Sequence, residues 1–195
     1  MLRRISGVCG IASQVTGLIS LLIAVSLSPW FSWTENYLSV FGVKGSAITL
    51  FNSGLILTGL LSLVFAIGLW KSLLSGRLLG LLGMVSLVLG SAAFSAMGIF
   101  PRSTGIPHNS ASLAFFLFIS LAIFLIGIRV TTPSQKLWGV LSLKAVVLIA
   151  AFQLVPWPWD GGAIPQLLSI LPWSLWTTGF SIRLLIKSKS ASGLN

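Results

Sequence analysis

The sequence predicts an all-α integral membrane bundle of six transmembrane helices with both termini cytoplasmic. Three observations carry this prediction. The 195-residue chain is 55% hydrophobic and 7% charged, with a mean hydropathy of +1.02, whereas a soluble domain is about a quarter charged. Six apolar stretches, at about 6–27, 46–70, 78–98, 110–128, 137–155 and 165–186, each come near the roughly 20 residues that a membrane-crossing helix requires. The basic residues occupy alternate connections, as the positive-inside rule demands.

The first stretch follows Met1-Leu2-Arg3-Arg4 and superficially resembles a secretion signal. It exceeds the roughly 7–15 residues of a signal core, and Ser28-Pro29-Trp30-Phe31 follows without a small-residue cleavage site, so it reads as a retained first helix. It holds the single cysteine, Cys9, which excludes an internal disulfide or a paired-thiol motif and is assigned to packing. In lipid, close backbone approach and polar contacts drive helix association. Ser13 and Gly17, Gly76 and Gly80, and Ser86 and Gly90 have the small-xxx-small spacing for it. These pairs are read as packing within the chain rather than as a dimer face. The third stretch, with Gly80, Gly83, Gly90, Ser91, Ala92, Ala93 and Gly98, is expected near the centre of the bundle. The fourth begins after Pro107-His108, with Asn109 suited to an N-cap. In the fifth, Lys144 lies seven residues from the start, close enough for its stem to snorkel to the interface. The sixth has Pro165 in its first turn. Pro172 lies in its interior, where the missing N–H predicts a kink and a side pocket toward the outer leaflet.

The charge pattern orients the chain. Arg3, Arg4, Lys71, Arg77, Arg129, Lys136, Arg183, Lys187 and Lys189 fall on one side, and only Lys44 and Arg102 fall on the other. The net charge of +10 is therefore a topology signal and not a nucleic-acid footprint. Both acids, Glu35 and Asp160, and the only histidine, His108, lie on the outer side. Trp30, Trp33, Trp157 and Trp159 suit the outer interface and Trp70 and Trp138 the inner one, while Trp173 and Trp176 lie deeper, against neighbours or lipid.

Three outer connections carry the polar residues that ask for a role. In the first, Tyr37, Leu38, Val40 and Phe41 recur at helical spacing, predicting a short interfacial helix with Glu35, Asn36 and Ser39 on another face. That face reads either as a polar site at the mouth of the bundle or as a helix cap through Thr34 or Asn36. Arg102, in the second connection, suits pairing with Glu35 or a lipid phosphate. Asp160, in the third, either forms an Asp-Gly turn or joins a cluster with Glu35, His108 and Arg102. Intramembrane polar groups usually face the bundle interior. Among Gln14, Asn52, Lys144, Gln153 and Gln166, Asn52 is the best placed to meet the outer cluster.

The spacing Trp33-x-x-Asn36-x-x-Ser39-x-x-Gly42, then Asn52, Gly98-Ile99-Phe100-Pro101, and His108 seven residues beyond that proline, resembles the prokaryotic membrane family catalogued as domain of unknown function 998. More distantly the chain is similar to the DRAM/Frag group of six-span proteins. His108 and Glu35 match where the family has an outer histidine and acidic group. The resemblance implies the six-span fold, and the distant group points toward lipid.

Three functional readings follow. The first is a non-catalytic module of the cell membrane that binds a lipid or another membrane protein, alone or within a larger complex. Glu35, Asn36, Ser39, Asn52, Arg102 and His108 would form its binding cluster, with no cofactor, no metal and no nucleic-acid partner. The second is an extracytoplasmic enzyme acting on a lipid, with His108 as base and Glu35 or Asp160 orienting it. No GxSxG motif occurs, and three ligands from three loops make a weak zinc signal. The third is a small transporter, although the chain has neither an inverted repeat nor a line of intramembrane charges.

Overall fold

A computed structural model describes the backbone of residues 1–74, 76 and 78–192, with side chains omitted at 73, 74 and 187–192. Arg77 and the side chains of Lys187 and Lys189 lie outside the described residues. The fold is all-α, with six long helices: α1 (Leu2–Ser26), α2 (Ile48–Leu69), α3 (Leu78–Ile99), α4 (Ile106–Val130), α5 (Lys136–Leu154) and α6 (Ala163–Ser192). A π-helical turn, Trp70–Leu74, extends α2, and a short 3-10 turn, Leu38–Gly42, lies between α1 and α2. Five helices, α1 to α5, are long and apolar enough to cross a membrane, which makes this an integral multi-pass membrane protein. α6 intersperses Gln166, Ser169, Pro172, Ser174, Thr177 and Thr178 among its apolar residues.

Each helix packs on its neighbours in sequence, and α6 returns to α1, so the six close a ring. α3 is therefore part of the wall, between α2 and α4, and not the central helix that its small residues predicted. Those residues serve its two seams instead. A side chain on Gly98 would run into the Asn52 carbonyl of α2, and one on Gly83 or Gly90 would come 2.8 Å from Ile126 or Ile119 of α4.

The same device recurs around the ring. Gly54 and Gly68 of α2 receive Ser20 and Ser6 of α1, Gly59 receives Ser95 of α3, and Gly127 of α4 receives Ser142 of α5. Gly7 and Gly10 of α1 seat Leu185 and Ser181 of α6, while Gly179 of α6 meets the Trp138 ring of α5. Hydrocarbon gives no solvophobic drive to helix pairing, so close backbone approach must supply the contact energy. The seam hydroxyls mostly return their bonds to their own helix, as Ser62 does to Thr58 and Ser91 to Leu87. Trp176 crosses a seam, donating from Nε1 to Ser142 Oγ at 2.9 Å. Of the predicted pairs, Gly76 meets no neighbour among the described residues and sits at φ +87°, in the turn between α2 and α3.

Aromatic rings fill the interior. Trp173 packs tilted against Phe94 and edge-on against Phe115 at 5.3 and 5.2 Å, and Trp176 lies 4.6 Å from Phe180, so both deep tryptophans face neighbours rather than lipid. α6 runs unbroken through Pro172. α4 starts four residues earlier than Asn109 predicted. Gly105, at φ +68°, takes the N-cap position, and Pro107 lies in the first turn. Proline is preorganised for that site, where its missing N–H has no helical partner to lose. Lys144 is exposed on the outward face of α5, among Val140, Leu143, Val147 and Leu148.

Gly98→Ala is expected to lower the Tm of detergent-solubilised protein, because the new methyl meets a backbone carbonyl that cannot rotate away. The cost is about 1–3 kcal/mol by analogy with overpacked cores. Leu57→Ala, on the lipid-facing side of α2, should leave Tm nearly unchanged, and equal shifts for the two variants would contradict the seam account.

Candidate functional site

Both carboxylates, Glu35 and Asp160, lie in connections at one end of the ring, and the structure draws the three connections there together. The first is central. Its backbone pairs with the third: Gly161 N–H donates to the Thr34 carbonyl and Ala163 N–H to the Asn36 carbonyl, both at 2.9 Å. Glycine is required at 161, since a Cβ there would lie 2.6 Å from the Glu35 carbonyl carbon. The second connection joins through Arg102, whose guanidinium lies 4.2 Å over the Tyr37 ring, a cation–π contact.

Side chains then fix the 3-10 turn. Leu38 N–H donates to Gln166 Oε1 at 2.8 Å, and Asn52 Nδ2 donates to the Gly42 carbonyl at 3.0 Å. Phe41 is buried among Phe31, Trp30 and Phe51. The turn begins at Leu38, so Glu35 and Asn36 precede it and do not share a helical face with Ser39. Asn36 makes no helix cap: its Oδ1 accepts from Ser32 N–H at 2.9 Å, closing its own loop.

The remaining predicted site residues separate into two sets. Glu35, Arg102 and Asp160 are exposed at the rim, and Arg102 sits on Tyr37. His108 is 7% exposed, and its Nδ1 is bonded to the Phe100 carbonyl at 2.8 Å. That nitrogen, the one a triad-like carboxylate would hold, is occupied by backbone. Among the described residues no three His, Cys, Asp or Glu side chains gather into a metal-holding group.

Beneath the rim lies a cavity of about 410 Å³ between α1 and α6, roofed by Leu38 and Ser39 of the turn and backed by α2, α3 and α4. Small-molecule sites span roughly 300–1,000 Å³. Its lining runs from Leu21 to Ile11 on α1 and from Gln166 to Thr178 on α6, a depth of roughly 15–18 Å at 1.5 Å per residue. Most of the wall is aliphatic or aromatic. Val15, Leu18, Leu171 and Leu175 line it and are also exposed, so it opens sideways between α1 and α6. His108, Ser39 and Gln166 mark the mouth, while Gln14 and Thr58 lie deeper. The side pocket expected near Pro172 thus occurs beside Leu171, Trp173 and Ser174. Of the predicted cluster only Ser39 and His108 reach it, whereas Asn52 is spent on the turn. Sequence reasoning noted Gln166 as an intramembrane polar group but gave it no role in the site. Its position directly after Pro165, at the start of a helix, was the available signal.

Residues 11–183 match the family described as protein of unknown function (DUF998), and the chain belongs to that family. No curated protein matches the chain, and no solved structure does.

Gly161→Ala is expected to break the pairing of the first and third connections. Amide hydrogen exchange should show faster exchange at positions 161 and 163, with the α3–α4 seam unaffected. Unchanged protection at both amides would contradict the clamp.

Proposed function

We propose that this member of the DUF998 family is a six-span protein of the cell membrane, both termini cytoplasmic, that binds an outer-leaflet lipid by taking an acyl chain into the α1–α6 cavity. The single observation that carries this is the cavity's length and exit. The hydrocarbon core is about 30 Å thick, so one leaflet is roughly 15 Å, and the lining covers roughly 15–18 Å from the mouth. A water-filled site would need polar partners for its waters, and this wall offers few. A lipid can enter through the sideways opening without leaving the bilayer.

The orientation rests on charge. Described basic residues Arg3, Lys71, Arg129, Lys136 and Arg183 belong to the end opposite Glu35 and Asp160, and Arg3 Nε donates to Ser72 Oγ across that end at 3.1 Å. The positive-inside rule supports a cytoplasmic location for that end. α6, though not apolar enough to qualify alone, crosses as the ring's closing member, with its polar residues facing seams and cavity. Lipid binding needs no chemical step, and the His108 Nδ1 bond to backbone favours this non-catalytic reading over a His–carboxylate pair.

Topology is tested in a Cys9→Ala background on intact cells. Asp160→Cys should react with a membrane-impermeant maleimide, and Lys136→Cys only after permeabilisation; the reverse pattern overturns the orientation. Native mass spectrometry of protein purified in mild detergent should show a bound lipid near one per chain. Leu171→Trp, which fills the opening, should lower that occupancy severalfold. Lipid-free wild-type protein, or unchanged occupancy in the variant, overturns the acyl-chain reading.

A further inference from the structure

We infer that the cavity selects an uncharged lipid whose polar end carries a hydroxyl group, and discriminates against phosphate-bearing lipids. This rests on the acyl-chain reading above and adds the headgroup to it.

Two side chains at the mouth, His108 and Gln166, each have one hydrogen-bonding atom already used. A carbonyl oxygen can only accept, so the 2.8 Å contact between His108 Nδ1 and the Phe100 carbonyl places a proton on Nδ1. In the neutral ring Nε2 is then an acceptor. A backbone N–H can only donate, so the 2.8 Å contact from Leu38 N–H fixes the Gln166 carboxamide with Oε1 toward the turn. Its Nε2 keeps two N–H donors. Both side chains line the cavity, with Ser112 one helical turn below His108 on α4.

The mouth therefore offers an acceptor on one wall and donors on another. A hydroxyl suits either wall, as a donor to His108 and as an acceptor from Gln166. A phosphate diester has no proton for the His108 acceptor. It would also bring an anion beside a lining that holds no Lys or Arg among the described residues, and an unpaired charge is expensive to desolvate. The nearest outer cation, Arg102, is exposed and seated on Tyr37, and it is not part of the lining.

The test uses two probes with the same tails, dioleoylglycerol and dioleoylphosphatidylmethanol, a phosphate diester without a hydroxyl, titrated into delipidated protein and read by native mass spectrometry. The expected result is that the neutral probe binds at least about tenfold more tightly, equivalent to roughly 1.4 kcal/mol. Gln166→Glu keeps the acceptor for Leu38 N–H, removes the donors and adds a negative charge, and should weaken the neutral probe severalfold with no gain for the phosphate probe. His108→Asn retains a donor for the Phe100 carbonyl and removes the second ring nitrogen, and should weaken the neutral probe severalfold. Tm values of both variants check folding, and the wild-type comparison decides the matter even where a variant is unstable. Equal or tighter binding of the phosphate probe overturns the headgroup inference and leaves the acyl-chain reading standing. Binding of neither probe overturns the acyl-chain reading itself.

Discussion

Close backbone contact at glycine is the constraint on which this ring depends. In water six apolar helices would collapse on one another for the gain of leaving solvent, but in hydrocarbon an exposed leucine is as well solvated as a buried one. What remains is dispersion at short range, together with hydroxyl contacts that return to the backbone. Glycines meeting Ser6, Ser20, Ser95, Ser142 and Ser181 let neighbouring axes approach closely enough for that dispersion, and Ser95, Ser142 and Ser181 also bond to backbone carbonyls. The many large apolar residues left exposed, from Leu18 to Ile186, are consistent with that economy: they face lipid.

The α1–α6 seam departs from this pattern in an informative way. Near the basic end Gly7 and Gly10 hold the two helices together against Leu185 and Ser181. Toward the other end the small residues of α1 turn to α2, where Gly17 faces Thr58, and α6 presents Leu171, Ser174 and Leu175 instead. The helices are joined below and parted above, and the cavity is the space between them. Its roof comes from the first connection, held by backbone pairing to the third, by Gln166 and by Asn52. The residues that stabilise the roof are thus the ones that determine which polar atoms remain free at the mouth.

Much of the architecture was legible in the chain. Hydropathy located the helices, and the Trp and polar residues marked their ends. The first helix, the deep position of the α6 tryptophans and the short turn around Leu38 were also readable, because each follows from local composition and spacing. The location of α3 was not. Small residues announce that a helix packs closely, but two close neighbours in a wall and several at a centre require the same composition. Asn109 misled for a related reason: a good capping residue was outcompeted by Gly105 and Pro107, whose backbone preferences start the helix earlier. The internal partners of Asn36, Asn52 and Arg102, namely Ser32, Gly42 and Tyr37, were not legible, because each lies on a folded loop or another element.

By itself the sequence determined the solvent of this protein, its helices and its charge asymmetry, since each is a sum over neighbouring residues and needs no knowledge of the distant ones. Only the tertiary structure decided that three connections meet, that α1 and α6 part on one side, and that His108 and Gln166 share a mouth. Those facts depend on contacts across separations such as the 128 residues between Leu38 and Gln166. A hydrogen-bonding group becomes informative about a ligand once its partners are known, because the atom left over defines what it can recognise.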